Sequence, residues 1–287
     1  MTVKLAHISD THIRTLKFHE EYKEVFEQIY LKLKELKPDC IIHTGDIFHA
    51  KLNLSPESVE LACDFLRNLT AIAPTYLILG NHDFLITNLE RQDAVTPIVE
   101  ALGLLNLYFL KKSQFVYPLP GVRLNVLSLA DKENWQKCPV DENINILLFH
   151  GVVKNMKNDD GFILERGEDE SIFENADYGF LGDIHKSNQF VDDEGRIRYA
   201  GSTIQQNHGE YNDKGFLFWE IEDKEVFKCE HFAFSHPAPF ETVELTPKGR
   251  IPKGVKVSPN AQLRLKADSS FSFNVIQRAI EVATERF

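Results

Sequence analysis

Five times along this chain a short apolar run breaks off at a residue that can bind a metal, and in three of the five a glycine comes just before that residue. Residues 3–9 give way to Asp10-Thr11-His12, 40–44 to Gly45-Asp46, 75–79 to Gly80-Asn81-His82-Asp83, 143–149 to His150-Gly151, and 178–181 to Gly182-Asp183-Ile184-His185. Short apolar runs bounded by turn signals read as buried strands. Glycine at a strand end permits a sharp turn, and a polar side chain just beyond it is held at the rim of a sheet, where α/β proteins assemble their sites. One strand-Gly-Asp is an ordinary turn and one D-x-H a solvated pair. Recurrence with ligand residues each time is what constrains the chain.

The segments between the runs change period. Across 18–36, Tyr22, Val25, Phe26, Ile29, Tyr30 and Leu33 recur at three- and four-residue steps, the stripe of a helix that Pro38-Asp39 ends. Ser55-Pro56 opens a second helix as N-cap and first-turn proline, with Ala62, Phe65, Leu66 and Leu69 inward, and a third spans 93–102 up to Gly103. Strand, helix, strand with a ligand candidate at each strand end predicts a mostly parallel sheet. Asp10 and His12, two apart in an extended segment, should point the same way. Short strands are expected near Leu107 and over 124–129, while 154–174 reads as a polar, substrate-facing surface loop with room for one short helix. From Gln189 onward hairpins take over, with Asp192–Gly195 as one turn, and these antiparallel strands suggest a second sheet packed on the first. After His236-Pro237-Ala238-Pro239, strands at 240–245 and 262–266 and a helix at 272–286, with Val275, Ile276, Ala279 and Val282 inward, make a locally basic tail that reads as a small domain, shortened or reduced.

The formal net charge of -11 and pI near 5.5 argue against unaided grip on a nucleic-acid backbone, which needs a basic footprint. A polyanionic substrate would need metals or a partner to attract it. The amino-terminal residues run straight into a strand without the apolar core of a signal peptide, and no run approaches the roughly 18 apolar residues of a membrane span. Cys40, Cys63, Cys138 and Cys229 are scattered and read as buried reduced thiols, so the expected compartment is the cytoplasm, or a host's cytoplasm for a phage-encoded chain.

Collected, the strand-end residues are Asp10, His12, Asp46, His49, Asn81, His82, His150, Asp183 and His185. Oxygen and imidazole donors without thiolate suit Mn²⁺, Mg²⁺, Fe²⁺ or Zn²⁺, with Mn²⁺ the first choice. Two such ions roughly 3.5–4 Å apart can clamp a phosphate and drive an in-line displacement. One carboxylate must then be shared, and Asp46, from a central strand, can present both oxygens to the pair. His7, His19, His43, His208, His231 and His236 read as strand, helix-surface or linker residues.

The ordered set Asp10-x-His12, Gly45-Asp46-x-x-His49, Gly80-Asn81-His82-Asp83, His150 and Gly182-x-x-His185 resembles the calcineurin-like metallophosphoesterases. His49, Ile184-His185-Lys186, and the stretch 199–206 with Gly209-Glu210 beyond resemble more narrowly the SbcD-type nuclease subunit of double-strand-break repair, of phage or bacterial type. The resemblance implies a four-layer αββα sandwich of two mixed β-sheets flanked by helices over 1–235, plus a small α+β cap domain at 236–287. It implies one metal held by Asp10, His12, Asp46 and His185, and another by Asp46, Asn81, His150 and Asp183. His82 would stabilise or protonate the leaving oxygen, oriented by Asp83, and His49 would help place the phosphodiester. The implied reaction is exo- and endonucleolytic hydrolysis of DNA at double-stranded ends, hairpins or single strands, in a homodimer partnered by an SbcC-type SMC-like ATPase for repair and recombination.

Asp183 departs from the family pattern, which has histidine there. Two divalent cations against three carboxylates leave a single net positive charge, one fewer than with a neutral imidazole, which weakens phosphate attraction and favours a harder ion. Two other readings share the residues: a phosphodiesterase or phosphatase acting on small phosphoesters, and a non-catalytic scaffold that kept the fold. Against the protein-phosphatase branch, Gly45-Asp46 is followed by Ile-Phe-His without an arginine.

Overall fold

The computed structural model describes residues 2–51 and 53–287; Met1, in the stretch read as leading into the first strand, and Leu52 lie outside it. The first half follows the predicted alternation: β1 (Val3–Ile8), α1 (His19–Leu36), β2 (Cys40–His43), α2 (Pro56–Ile72), β3 (Thr75–Ile78), α3 (Thr96–Leu102) and β4 (Leu107–Leu110). Ser55 caps α2 by accepting from Ser58 N at 3.2 Å, and Asp93 Oδ1 takes the amides of Val95 and Thr96 ahead of α3, so the helix predicted from 93 starts three residues later. The chain continues through β5 (Gln114–Leu119), β6 (Val122–Leu127), β7 (Ile144–His150), a short pair β8 (Met156–Lys157) and β9 (Ile163–Leu164), β10 (Tyr178–Gly182), β11 (Gln189–Phe190), β12 (Ile197–Tyr199), β13 (Gly215–Ile221) and β14 (Phe227–Ala233).

Two mixed sheets result, ordered β14-β13-β1-β2-β3-β4 and β11-β12-β10-β7-β6-β5. The expectation that the antiparallel strands from Gln189 onward form the second sheet holds for the β11–β12 hairpin, which extends that sheet beside β10, and is corrected for β13 and β14. β13 returns to pair antiparallel with β1, from Val3↔Ile221 to His7↔Leu217, while the second sheet is built around β6, β7 and β10. The strand period shows a segment's buried face but carries no record of which edge it will extend. β5, unforeseen because of its proline, Pro118, is an edge strand with a register break between Val116 and Leu119.

Alternation divides the core. Leu5, Cys40, Ile42 and Trp219 of the first sheet face Leu124, Ile146 and Phe180 of the second, whereas Ala6, Ile8 and Ile41 face α1 and α2. The second sheet's outer face packs Leu127, Leu147, Phe149, Leu181 and Tyr199 beneath Phe173 and Trp135, which lie in or beside the short 3₁₀ segments Glu170–Phe173 and Leu129–Asn134. The outcome is the expected α/β sandwich, with a thin fourth layer. Cys40 and Cys138 are buried, Cys63 and Cys229 half-buried, and all four thiols are free. No helix among the described residues is long and apolar enough to cross a membrane.

Beyond this body β15 (Phe240–Glu244) pairs in parallel with β16 (Gln262–Lys266), and α4 (Phe273–Arg286) follows. Gln205 exchanges hydrogen bonds with both backbone groups of Phe240, and His208 Nε2 donates to Gln262 O at 2.7 Å, fastening this unit to the sandwich. In α4 the buried residues are Ala279 and Ala283, with Val275 and Ile276 half-buried. Val282, predicted inward, is 41% exposed; it lies about 100° around the helix from the buried Ala283, on the rim of the stripe beside half-buried Val275.

Candidate metal centre

Parallel pairing aligns the strand ends that carry the candidates. Ile8 lies opposite His43 and Gly182 opposite His150, so the turns after β1, β2 and β3 in one sheet meet the ends of β7 and β10 in the other. Approach is close enough to dictate glycine. A Cβ on Gly80 would lie 2.1 Å from Asp46 Oδ1, and one on Gly45, whose φ is +95°, would lie 2.5 Å from Gly80 N. Asp10 and His12 are not extended as predicted: their φ angles are 49° and 47°, in the left-handed region. The backbone curls there because Asp10 N donates to Gly45 O and His12 N to Asp46 O, and both side chains still converge.

Asp10, His12, Asp46 and His150 are all at least 98% buried. His12 Nε2 lies 3.6 Å from Asp10 Oδ1 and 3.3 Å from Asp46 Oδ2, and His185 Nε2 lies 3.9 Å from Asp10 Oδ1 and 2.9 Å from His12 Nε2. On the other side of Asp46, His150 Nε2 is 3.4 Å from Asp46 Oδ2 and 3.7 Å from Asp183 Oδ1, and the Asn81 amide meets Asp183 Oδ1. Donors sharing one ion at bonds of roughly 2.1 Å stand about 3.0–3.4 Å apart, close to these spacings. Asp46 was expected to offer both oxygens. Instead Oδ1 accepts from His82 N at 2.7 Å, and Oδ2 alone stands between the two groups.

The imidazoles are oriented for coordination. His150 Nδ1 donates to Thr44 O at 2.6 Å, since a carbonyl can only accept, and Nε2 is left buried without a hydrogen-bond partner. His185 Nδ1 donates to Glu210 Oε1 at 2.8 Å, which turns its Nε2 inward in the same way. Burial alone would push Asp10 and Asp46 up, yet the histidines around them hold both carboxyls below the usual range. Burial likewise opposes charge on His150 and His185, but Asp46 raises the first and Glu210 the second. Asp183 goes up because burial outweighs the pull of His150. Such a field calls for positive charge between the side chains, and an inward lone pair on a buried, otherwise unpartnered nitrogen is what a cation requires. The residues present fit a divalent-metal centre.

His82 and His49 sit beside this cluster, with ring centroids 4.9 Å and 5.7 Å from that of His12. His82 is oriented by the His49 carbonyl, which accepts from its Nδ1 at 2.8 Å. The implied role of Asp83 is therefore corrected. Its fully buried carboxylate accepts from the backbone amides of Asp46, Ile47, Phe48 and Gly80 and braces the two turns against each other. Burial and then the neighbouring Asp46 charge push it up to about 7, against the pull of those amides. Glu210, quoted above only as part of a family pattern, orients a candidate ligand 25 residues away and had no local signal. The histidines read as incidental are mostly interior: His7 stacks on Phe180 at 4.7 Å, His43 Nε2 is 2.7 Å from Thr11 Oγ1, and His19 and His236 are buried.

Residues 3–187 match the family described as calcineurin-like phosphoesterase. An uncharacterised protein of Acanthamoeba polyphaga mimivirus is 39% identical over 76% of this chain and 17% of its own length. The DNA double-strand break repair protein Mre11 of Archaeoglobus fulgidus is 26% identical over 79% of this chain and 61% of its own, and that of Haloferax volcanii 23% identical over 84% and 55%. The chain thus spans only part of the length of each of these relatives.

Proposed function

The chain belongs to the calcineurin-like phosphoesterases, metal-dependent hydrolases of phosphoester bonds, and from that premise we propose that it is a two-metal DNA nuclease of the SbcCD type. The observation that carries the reading is Asp46 Oδ2, flanked by His12 Nε2 at 3.3 Å and His150 Nε2 at 3.4 Å, between two donor groups. Asp10, His12, Asp46 and His185 hold one ion in this proposal, and Asp46, Asn81, His150 and Asp183 the other. Asn81 contributes its amide oxygen after a half-turn of the amide, which leaves its shape unchanged. When bound, a pair of divalent cations polarises the phosphoryl group and lowers the pKa of a water nucleophile.

The chain's own groups supply the rest. With Nδ1–H fixed on the His49 carbonyl, His82 presents Nε2 to hold a proton and deliver it to the leaving oxygen. His49 stands alongside to help position the phosphodiester. Glu210 keeps His185 in the tautomer that binds metal, and Asp83 keeps the two turns in register. The similarity to two DNA double-strand break repair proteins supports DNA as the substrate; with it we propose DNA ends and hairpins as the targets, Mn²⁺ as the working ion, an SMC-like ATPase as partner, a homodimeric state and a cytoplasmic location. We also propose a division near residue 235, with 236–287 as a cap-like unit.

The test is Mn²⁺-dependent cleavage of duplex-end and hairpin DNA against an aryl phosphodiester, with metal content measured in parallel. The parent should cleave DNA, and His82→Ala should lose on the order of 10²–10⁴-fold while retaining two ions. A parent that hydrolyses only the small ester is a small-molecule phosphodiesterase, and one that binds no metal is a scaffold; either result rejects the nuclease.

A further inference from the structure

A cleft of about 370 Å³ opens beside the metal centre, with Asn158, Asp159 and Leu164 on one bank and Asp183, His185 and Glu210 on the other. The first bank is the β8–β9 hairpin, whose strands pair over only two residues each. A ladder that short cannot hold its own position. What reaches from its turn into the interior is Asp159, whose Oδ2 lies 2.7 Å from Lys214 Nζ, with the two side chains 4% and 2% exposed. The same ammonium donates to His185 O at 2.7 Å and stands 3.8 Å from Glu210 Oε2, while Glu210 Oε1 takes the His185 ring proton. Lys214 immediately precedes β13 of the first sheet, whereas the hairpin follows β7 of the second. One buried cation therefore ties together the hairpin turn, the backbone of a candidate ligand and the carboxylate that orients that ligand's ring.

We infer that the Lys214–Asp159 pair is a latch that fixes the β8–β9 hairpin as one wall of the substrate cleft, with Lys214 a positioning residue for both the wall and His185. A buried pair is stable only while both partners are present, because removing one strands the other's charge in the interior. The hairpin's remaining anchors to the body include half-buried Met156 and Leu164, packed against the second sheet's outer core, and two hydrogen bonds between the exposed Lys157 and the half-buried Gln189. Acidic groups on both banks disfavour a phosphate backbone in the cleft. Of the wall's exposed apolar side chains, Phe162 at the hairpin turn (66%) and Ile163 (47%), Phe162 carries a ring, which can stack on an unpaired base without any positive charge. A wall held in place spares the substrate the entropy of ordering it, so polymer binding depends on the latch while a small ester, meeting only the metal centre, does not.

The effect on DNA rests on the nuclease reading, but the latch itself does not, and the experiment separates them. Asp159→Asn keeps the shape and removes the pair without touching a proposed ligand. Trypsin cleavage of the Mn²⁺-loaded full chain at the exposed Lys157 and Arg166 should accelerate on the order of tenfold in this variant. Its KM for hairpin DNA should rise by a similar factor, with kcat and aryl-diester turnover unchanged. Lys214→Met should show both effects and also weaken metal binding, through His185. If Asp159→Asn fails to fold, Phe162→Ala, on an exposed side chain, still reports the wall: KM for hairpin DNA rises without faster proteolysis. Unaltered trypsin resistance in Asp159→Asn overturns the latch. Faster proteolysis with an unchanged KM, or an unchanged KM in Phe162→Ala, overturns the wall's role in binding, and a parent inactive on DNA leaves the proteolysis result to decide the latch alone.

Discussion

Gly80→Ala is the sharpest probe of how the centre is assembled, because the added methyl would meet the proposed bridging residue rather than solvent. Its Cβ would lie 2.1 Å from Asp46 Oδ1 and 2.3 Å from Asp46 N, so the turns after β2 and β3 must separate by about 1.3 Å to reach an ordinary 3.4 Å contact. They are held together by Asp83 Oδ2, which accepts from Asp46 N and Gly80 N at 2.9 Å each, and by His82 N donating to Asp46 Oδ1 at 2.7 Å. Stretching those bonds by that amount takes them past hydrogen-bonding range. Overpacking at about 1–3 kcal/mol, with part of the worth of charge-assisted bonds added, gives a destabilisation of about 3–5 kcal/mol. Metal sites tolerate only about 0.2 Å of ligand displacement, so affinity at both proposed positions should fall by on the order of 100-fold. Calorimetric titration with Mn²⁺ and urea denaturation of the apoprotein measure the two effects. Gly103→Ala, where an added Cβ meets nothing within 4 Å and only a positive φ resists, is the control and should cost about 1 kcal/mol with metal binding intact. A Gly80→Ala protein that bound two ions as tightly as the parent would refute the convergence of the turns on Asp46.

Glu210→Gln keeps the shape beside His185 Nδ1 but removes the charge, and should weaken metal binding by about 10–100-fold with the fold intact, read by the same titration. Asp183→Ala should leave one ion bound, and Asp183→His two, with preference moved from Mn²⁺ toward Zn²⁺ in a competition assay; full occupancy in the alanine variant would remove Asp183 from the ligand set. His7 and His43 are fully buried, each lowered to about 3 chiefly by burial, with neighbouring imidazoles adding to it and the Asp10 carboxylate opposing it. Because those folded-state values lie below the unfolded one, their contribution to stability is complete above about pH 6.5 and is lost as pH falls toward 3, at about 1.4 kcal/mol per pH unit for each group. His7→Phe, which preserves the stack on Phe180, should reduce that slope by one group in urea unfolding between pH 7 and 5; an unchanged slope would mean His7 does not titrate with unfolding.

Much of this architecture could be read locally. The stripe from Tyr22 to Leu33 in α1 and the apolar runs of β1, β2, β3, β7 and β10 carry their periods in adjacent residues, as do the glycines that end three of the runs. The β8–β9 hairpin and β5 were missed because their strands are short or interrupted by proline, and pattern reading needs several turns of a period to act on. The edge joined by β13 went unread because pairing register is settled by a strand some two hundred residues away.

The sequence by itself determined which atoms would stand at the sheet rim: oxygen and imidazole donors, no thiolate, and an aspartate at 183. Tertiary structure alone decided how those donors are used. It spends one oxygen of Asp46 on a backbone amide, assigns Asp83 to bracing instead of orienting His82, turns His150 inward through the Thr44 carbonyl, and brings Glu210, Lys214 and Asp159 to the His185 side. The physical reason is that donor chemistry belongs to single side chains. The direction of a lone pair belongs to the hydrogen bond at the far side of the same ring or carboxylate, and that partner comes from a distant part of the chain.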